Sequence, residues 1–478
     1  MPASRIRRLA LVLAAAAGLS FAVPGLAAAS PAAAPRTRVV LSATSGPPGA
    51  TIRVSGSGFA ARETVDVTFA AADQTAGHTN RAGSFSGVRV KAPIGAVPGT
   101  YRIRAVGRRS GRRAGANFAV HTNWAQYGHG PARTGYNPDE NVLSASAVPR
   151  LALAWRFSTG NEVFSSSAVV NGVAYLGSLN NAVYALNAAT GTRRWVSHTD
   201  GGVDSSPAVV RGVVYVSDSS RLYALSAATG ARRWTYPAGG HALSSPAVLN
   251  RTVYTVTGNG TVYALNAATG ALRWRVKLRT AVDASLAVAD GAVYVPGEPG
   301  EGPGELYALN AATGARLWHA PLPGYAESSP AVAGGVVYLG TDHTDVGDLL
   351  AINAVTGQGI WDIQNANGAV DATPAVANGV VYWVANGSVQ ATDAATATNL
   401  WSVNLTPTVM DSDPAVADGV VYFGTGDGNV YALNAATGSQ LWDFSVGSPV
   451  QSSPAVADGR VYVGSDNDHE YAFALPRS

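Results

Sequence analysis

The stretch Tyr184-Ala-Leu-Asn-Ala-Ala-Thr-Gly191, followed by Trp195, decides the fold because it returns along the chain. The same string stands at 263–270, 307–314 and 431–438, with a Ser variant at 223–230 and altered copies at 350–357 and 390–397. An eighth start, Tyr471-Ala-Phe-Ala474, runs out at the C-terminus. A second string, Ser205-Ser-Pro-Ala-Val209, recurs from 244, 328 and 452, with variants from 165, 284, 372 and 412. Self-similarity at a period near 40 residues signals small sheets stacked in a ring or solenoid.

The tryptophans predict which. Trp195, Trp234, Trp274, Trp318, Trp361, Trp401 and Trp442 follow the seven complete copies, and the eighth has none. Its counterpart is Trp155, in the segment Leu151–Gly160, which has the form of the strand that elsewhere follows the first string. An N-terminal strand that completes the last repeat closes a ring. The 328 residues from 151 to 478 then hold eight repeats of 41, each long enough for four strands. The Ser-Ser-Pro-Ala-Val segment is expected innermost, where small side chains suit a crowded axis. A strand such as Val213–Val216 follows, then a tight turn such as Asn259-Gly260, Asn386-Gly387 or Asp427-Gly428. The Tyr-Ala-Leu-Asn strand comes third, and the Trp strand lies outermost. The fold class is all-β, an eight-bladed β-propeller preceded by a small sandwich.

Outside the array, residues 1–29 read as a secretory signal. Arg5, Arg7 and Arg8 precede the apolar run Leu9–Val23, and Ala27-Ala28-Ala29 offers a small-residue cleavage pattern. The expected location is therefore outside the cytoplasm, secreted or held at the envelope. No later run is long and apolar enough to predict a membrane span. After a linker at 30–37, residues 38–120 alternate at period two: Ile52 and Val54, then Val65, Val67 and Phe69, share a face. Gly46-Pro47-Pro48-Gly49 and Pro98-Gly99 mark turns between these strands.

Composition narrows the chemistry. The chain of 478 residues has no Cys, which excludes disulfides, thiolate metal sites and thiol nucleophiles. Charge divides sharply: residues 36–120 carry 13 basic and 3 acidic groups, whereas 121–478 carry 17 basic and 27 acidic. Such asymmetry steers the two parts toward partners of opposite sign or docks one on the other. The arginine-rich part lacks interleaved aromatics for base stacking, so no nucleic acid partner is expected. No metalloprotease spacing, nucleophile elbow or phosphate loop is present.

Residues 54–59 (Val-Ser-Gly-Ser-Gly-Phe), 98–101 (Pro-Gly-Thr-Tyr) and 117–120 (Asn-Phe-Ala-Val) resemble the IPT/TIG group of immunoglobulin-like domains. The array resembles the pyrroloquinoline quinone (PQQ) propeller repeat, whose Gly-x-x-x-Trp element, as in Gly191–Trp195 and Gly438–Trp442, packs between neighbouring blades. Residues 121–150, with Trp124, Tyr127-Gly128, Arg133-Thr-Gly-Tyr136 and Leu143-Ser144, are similar to the lead-in of quinoprotein alcohol dehydrogenases; that resemblance implies a capping segment. It would also imply a cofactor held by a vicinal Cys pair, a stacking Trp, a calcium shell and a catalytic Asp. The Cys pair is missing, and Trp383 reads as a core aromatic. The propeller lipoprotein of outer-membrane barrel assembly is a further likeness, but its lipidated Cys has no counterpart here.

Candidate site residues follow from closure. The residues preceding the inner motifs are Phe164, Asp204, Leu243, Asp283, Glu327, Asp371, Asp411 and Gln451, and five of these eight are carboxylates. Ring closure would bring them to one mouth, where like charges must be solvated, protonated or bridged by a cation. Two readings stand: a cation- or polyol-binding funnel, with Ca²⁺ among the cations, or solvated strand-entry residues. Asp342-His-Thr-Asp345-Val-Gly-Asp348 and Asp466-Asn-Asp468-His-Glu470 read as exposed acidic loops and are metal candidates by composition only. The expected function is a non-catalytic binding or scaffolding propeller without a cofactor, monomeric, with an envelope protein or polysaccharide as partner. The alternatives are a PQQ- and Ca²⁺-dependent dehydrogenase of an alcohol or sugar, and a carbohydrate-binding propeller.

Overall fold

The structure, a computed structural model, describes residues 36–70, 72–239, 244–298, 304–343, 346–365, 368–385, 387–405 and 412–476. The expected signal segment lies outside them. Among the described residues the chain is all strand but for one 3-10 turn, Val148–Arg150. A three-stranded and a five-stranded sheet make the N-terminal part. They enclose Ile52, Val54, Val65, Val67, Phe69, Ile103 and Phe118, so the alternating positions face inward as read from the sequence.

From residue 152 on, the described residues form eight sheets of four antiparallel strands in series. The first is Ala168–Val170, Val173–Ser178, Ala182–Asn187 and Arg193–His198. The last takes only three strands from the C-terminus. Its fourth is Ala152–Ser158, paired antiparallel with His469–Ala474 so that Trp155 faces Ala472. The strand inferred from the displaced tryptophan thus fastens the beginning of the array to its end.

The repeated tryptophans tie neighbouring sheets together. Trp195 donates its indole N–H to Ala227 O at 3.0 Å in the next sheet, and Trp401 does the same to Ala435 O at 3.0 Å. Trp155 donates to Ala188 O and Trp442 to Leu151 O, each at 3.0 Å, which carries the pattern across the closure. The glycine of each Ala-Thr-Gly lies flat on the preceding tryptophan. At Gly438, with φ +72°, a Cβ would stand 2.7 Å from the Trp401 ring, so only glycine meets both the conformation and the space.

The two serines of the inner motif have separate tasks. The first pins its own sheet: Gly464 N–H donates to Ser452 Oγ at 2.7 Å. The second joins sheets: Ser166 N–H donates to Ser206 Oγ, Ser206 N–H to Ser245 Oγ and Ser245 N–H to Ser285 Oγ, at 2.9–3.1 Å. Ser453 N–H donates to Ser166 Oγ at 2.8 Å, so this chain of bonds also crosses the closure.

The lead-in is more than a cap. Eight short inner strands leave their edge groups facing the axis, where unpaired N–H groups would be costly. Residues 124–137 make one circuit and satisfy them. Val169, Val209, Val288, Val332, Val376 and Val416 donate their N–H to the carbonyls of Trp124, Ala125, Pro131, Ala132, Thr134 and Gly135, all at 2.7–2.8 Å. At the third sheet Gln126 Oε1 accepts from Val248 N–H at 2.7 Å, and at the eighth Asn137 Nδ2 donates to Val456 O at 2.8 Å. The first part of the lead-in is fastened to the closing sheet as well: Asp458 accepts from Thr122 N–H and meets His121 Nδ1, both at 2.8 Å. Neutral contacts join the N-terminal sheets to the ring, Ser45 Oγ donating to Asn171 Oδ1 at 3.1 Å and Asn141 Nδ2 to Ala96 O at 3.1 Å.

Two sequence readings are corrected here. The segment around Asp342 and Asp348 is not a loop: strands Val336–His343 and Val346–Asn353 stay in register to His343–Val346, and Asp348 is fully buried. Strand Val346–Asn353 is buried on both faces, as expected between neighbouring sheets, and the run of acidic residues obscured it. Similarly, Glu470 belongs to strand His469–Ala474 and is fully buried instead of exposed. Asp342, Asp466 and Asp468 are half-buried, and Asp345 lies outside the described residues. Among the described residues, which leave out Asp345, no three carboxylate or imidazole groups gather closely enough to hold one metal ion.

Candidate functional site

Each inner strand starts at one mouth of the ring, passes the hydroxyl circle and then meets the lead-in. The described residues that precede these motifs therefore stand at the mouth, because strand pairing fixes their height along the axis. Asp204, Asp283, Glu327, Asp371 and Gln451 line one cavity of about 240 Å³, together with Phe164. Asp411 and Leu243 lie outside the described residues. The wall below is the hydroxyl circle, Ser166, Ser206, Ser245, Ser285, Ser329, Thr373 and Ser453, interrupted by Asp413.

Tyr127 and Arg133, both from the lead-in, close the bottom. Tyr127 lines the cavity, and its hydroxyl shares a hydrogen bond with Thr373 Oγ1 at 3.2 Å. The Arg133 guanidinium packs on the Tyr127 ring, 4.6 Å from its centroid. Only 1% of Arg133 is exposed. Its Nη2 donates to Ser245 O at 2.7 Å and its Nε to Leu286 O at 2.5 Å, and burial pushes it down to about 10. Beneath the floor, between Trp124, Arg133, Asp413 and Pro454, there is space of only about 10 Å³, no more than one water needs. The axis is a blind cup instead of a through-channel.

The cup is strongly acidic. Among the described residues no Lys or Arg side chain lines it. Burial raises the Asp204 carboxyl, with the charge of Asp218 adding to the effect and bonds from backbone N–H groups opposing it. Glu298, at the end of strand Ala292–Gly297, is raised first by burial and then by the charges of Asp283 and Glu327. Asp413 is 7% exposed and is raised by burial; its Oδ1 accepts the Thr373 N–H at 2.7 Å. Burial, together with the Asp413 charge, raises the Tyr127 phenol.

Sequence reasoning reached the mouth acids but not Asp413, Glu298, Tyr127 or Arg133. A signal for Asp413 was present, since Ser-Asp-Pro-Ala-Val at 412–416 alone places a carboxylate where the other copies carry a hydroxyl. The lead-in residues have no repeat register from which their depth can be read. Trp383 is a core aromatic, 1% exposed and donating to Thr392 Oγ1 at 3.0 Å.

Among solved structures, the chain is similar to quinohemoprotein alcohol dehydrogenase from Comamonas testosteroni, at 18% identity and TM-score 0.63, over 75% of this chain and 82% of that one. A europium-containing methanol dehydrogenase matches at 16% identity and TM-score 0.63, over 74% and 98%. BamB from Moraxella catarrhalis matches at 18% identity and TM-score 0.58, over 69% and 98%. At these identities the likeness concerns the fold, a PQQ-type propeller. No curated protein matches by sequence. The family model described as outer membrane protein assembly factor BamB matches residues 100–245, 180–301, 258–384, 302–412 and 385–475. These overlapping matches run through most of the chain, which therefore belongs to this family of PQQ-like repeats.

Proposed function

We propose that the protein is an exported, non-catalytic binding propeller of the cell envelope. In this reading the eight sheets are the blades of one closed ring, residues 1–29 are the export signal, and residues 38–120 form an immunoglobulin-like module beside it. The observation that carries the reading is the blind acidic cup. A PQQ molecule is planar and carries three carboxylates, and it requires positive or neutral donors and flat faces. Here the lining carboxylates would repel it, the Arg133 guanidinium is spent on backbone carbonyls, and among the described residues the aromatic lining is Phe164 and Tyr127. These residues do not fit the quinone, and no oxidation step is derived from it. The family description, an assembly factor for outer membrane proteins, suits a protein that acts through protein partners.

The test is a titration of the mature protein with PQQ plus Ca²⁺, read by thermal melting and by dye-linked oxidation of an alcohol and sugar panel. No shift and no turnover at saturating cofactor is expected. A shift with turnover that is lost on Asp204→Asn, Asp283→Asn or Asp371→Asn would make the protein a quinoprotein and overturn the reading.

A further inference from the structure

We propose that the axial cup is a receptor for a primary ammonium group, carried by a small polyamine or amino sugar or by a lysine of a partner protein. The proposal rests on the reading of the cup as a binding site and names what enters it.

Three observations converge. Asp204, Asp283, Glu327 and Asp371 line the mouth, and none of the lining residues supplies a positive charge. Asp413, in the wall at the level of the hydroxyl circle, is more than nine-tenths buried, and its Oδ2 has no hydrogen-bond partner. A buried carboxylate oxygen without a donor loses its hydration and regains nothing, at a cost of about 1–3 kcal/mol or more. The Tyr127 hydroxyl, Ser453 and Thr373 bond the same carboxylate, and Arg133 adds nothing to it, since its Nε and Nη2 point to Leu286 O and Ser245 O; the Oδ2 atom is the part left over. A donor arriving through the mouth satisfies Oδ2 and lowers the repulsion among the acids together.

Chemistry selects the class of cation. Asp204, Asp283, Glu327 and Asp371 precede the inner strands of four different sheets, so the charge is spread around a space instead of focused on a point. That space, about 240 Å³, is below the roughly 300–1,000 Å³ of pockets for drug-sized ligands and suits a small head group. An ammonium group offers three donors. The hydroxyls of the circle are suited to receive them: Ser206 Oγ accepts one backbone N–H and still has a lone pair to offer. A planar guanidinium prefers a carboxylate facing it as a fork, whereas this wall alternates one carboxylate with a run of hydroxyls.

The experiment titrates the mature protein by calorimetry with n-butylamine, putrescine and spermidine, and with a lysine-bearing peptide and its Nε-acetylated form, at low and high salt. Saturable binding that weakens with salt is expected, and Asp413→Asn should reduce affinity at least tenfold, since Asn keeps an acceptor for Thr373 N–H but removes the charge. Asp283→Asn/Asp371→Asn, at the exposed mouth, provides a second variant whose melting temperature should stay close to wild type while affinity falls. Tighter binding of the lysine peptide, lost on acetylation, assigns a protein partner; binding of the free amines alone assigns a small ligand. No binding of any amine at millimolar concentration, or equal binding by the folded variants, overturns the proposal while leaving the non-catalytic reading intact. Displacement of amines by micromolar Ca²⁺ would replace ammonium with a metal ion, and only PQQ binding with turnover would remove both readings.

Discussion

The outer wall of the ring and its axis are built from the same repeats but follow different rules. On the wall the sheets meet through one device, a tryptophan that donates to a backbone carbonyl of the next sheet, alanine in all but the Trp442–Leu151 pair, and that lies on a glycine in six of the eight sheets. On the axis the sheets meet a single non-repeating segment, and each is satisfied by a different residue of it. The hydroxyl circle is likewise regular except where Asp413 enters. The comparison teaches that repetition supplies the scaffold, whereas the asymmetry on which recognition depends comes from the lead-in and from departures within single copies.

The largest expected effect is at the seam where the ring closes. Glu470 is fully buried; its Oε1 accepts from Ser167 Oγ at 2.6 Å in the first sheet, and its Oε2 has no partner. Burial pushes this carboxyl up to about 8 from 4.5. The folded state therefore holds the proton more tightly than the unfolded state. The contribution to stability is full below about pH 4.5 and is lost as pH rises through 8, a difference on the order of 5 kcal/mol by linkage. Urea unfolding at pH 5, 7 and 9 should show this fall, and Glu470→Gln should flatten it; an unchanged slope would show that Glu470 is not the group responsible.

Next comes the axis. Arg133→Met keeps the apolar stem but leaves Leu286 O and Ser245 O without their donors, and a loss of about 3 kcal/mol is expected in the same unfolding assay. The wall should respond less and, more tellingly, uniformly. Gly→Ala at 191, 230, 270, 314 and 438 places a Cβ about 2.7 Å from a tryptophan ring at positive φ, and each change should destabilise by about 2 kcal/mol. Values scattered by more than about 0.5 kcal/mol would break the equivalence of the repeats. The smallest effect has the opposite sign. Ala397 stands where the other copies have glycine and keeps φ +59°, so Ala397→Gly should stabilise by about 1 kcal/mol, read as a rise in melting temperature.

Much of the wall was legible because its signals are periodic. Trp155 could be assigned to the last sheet from its absence at the other end, and Asp204, Asp283, Glu327 and Asp371, which precede inner motifs in a common register, line one cavity. Burial of charge was not legible in this way. Asp348 and Glu470 read as loop residues because of the acidic runs around them, yet pairing across the hairpins carries both into the interior. Glu298 lies outside the repeated strings, so nothing in its spacing reveals that it is raised by burial and by the charges of Asp283 and Glu327.

The sequence by itself determined the number of repeated strings, the order of strands within each, and the residue that closes the array, since these follow from local periodicity and from the count of tryptophans. Tertiary structure alone decided that residues 124–137 circle the axis and plug it, and that Tyr127, Arg133 and Asp413 converge there. The reason is physical: edge groups of eight inner strands demand partners wherever the chain can supply them, and residues as far apart as Arg133 and Leu286 are brought together by that demand without any trace in their spacing.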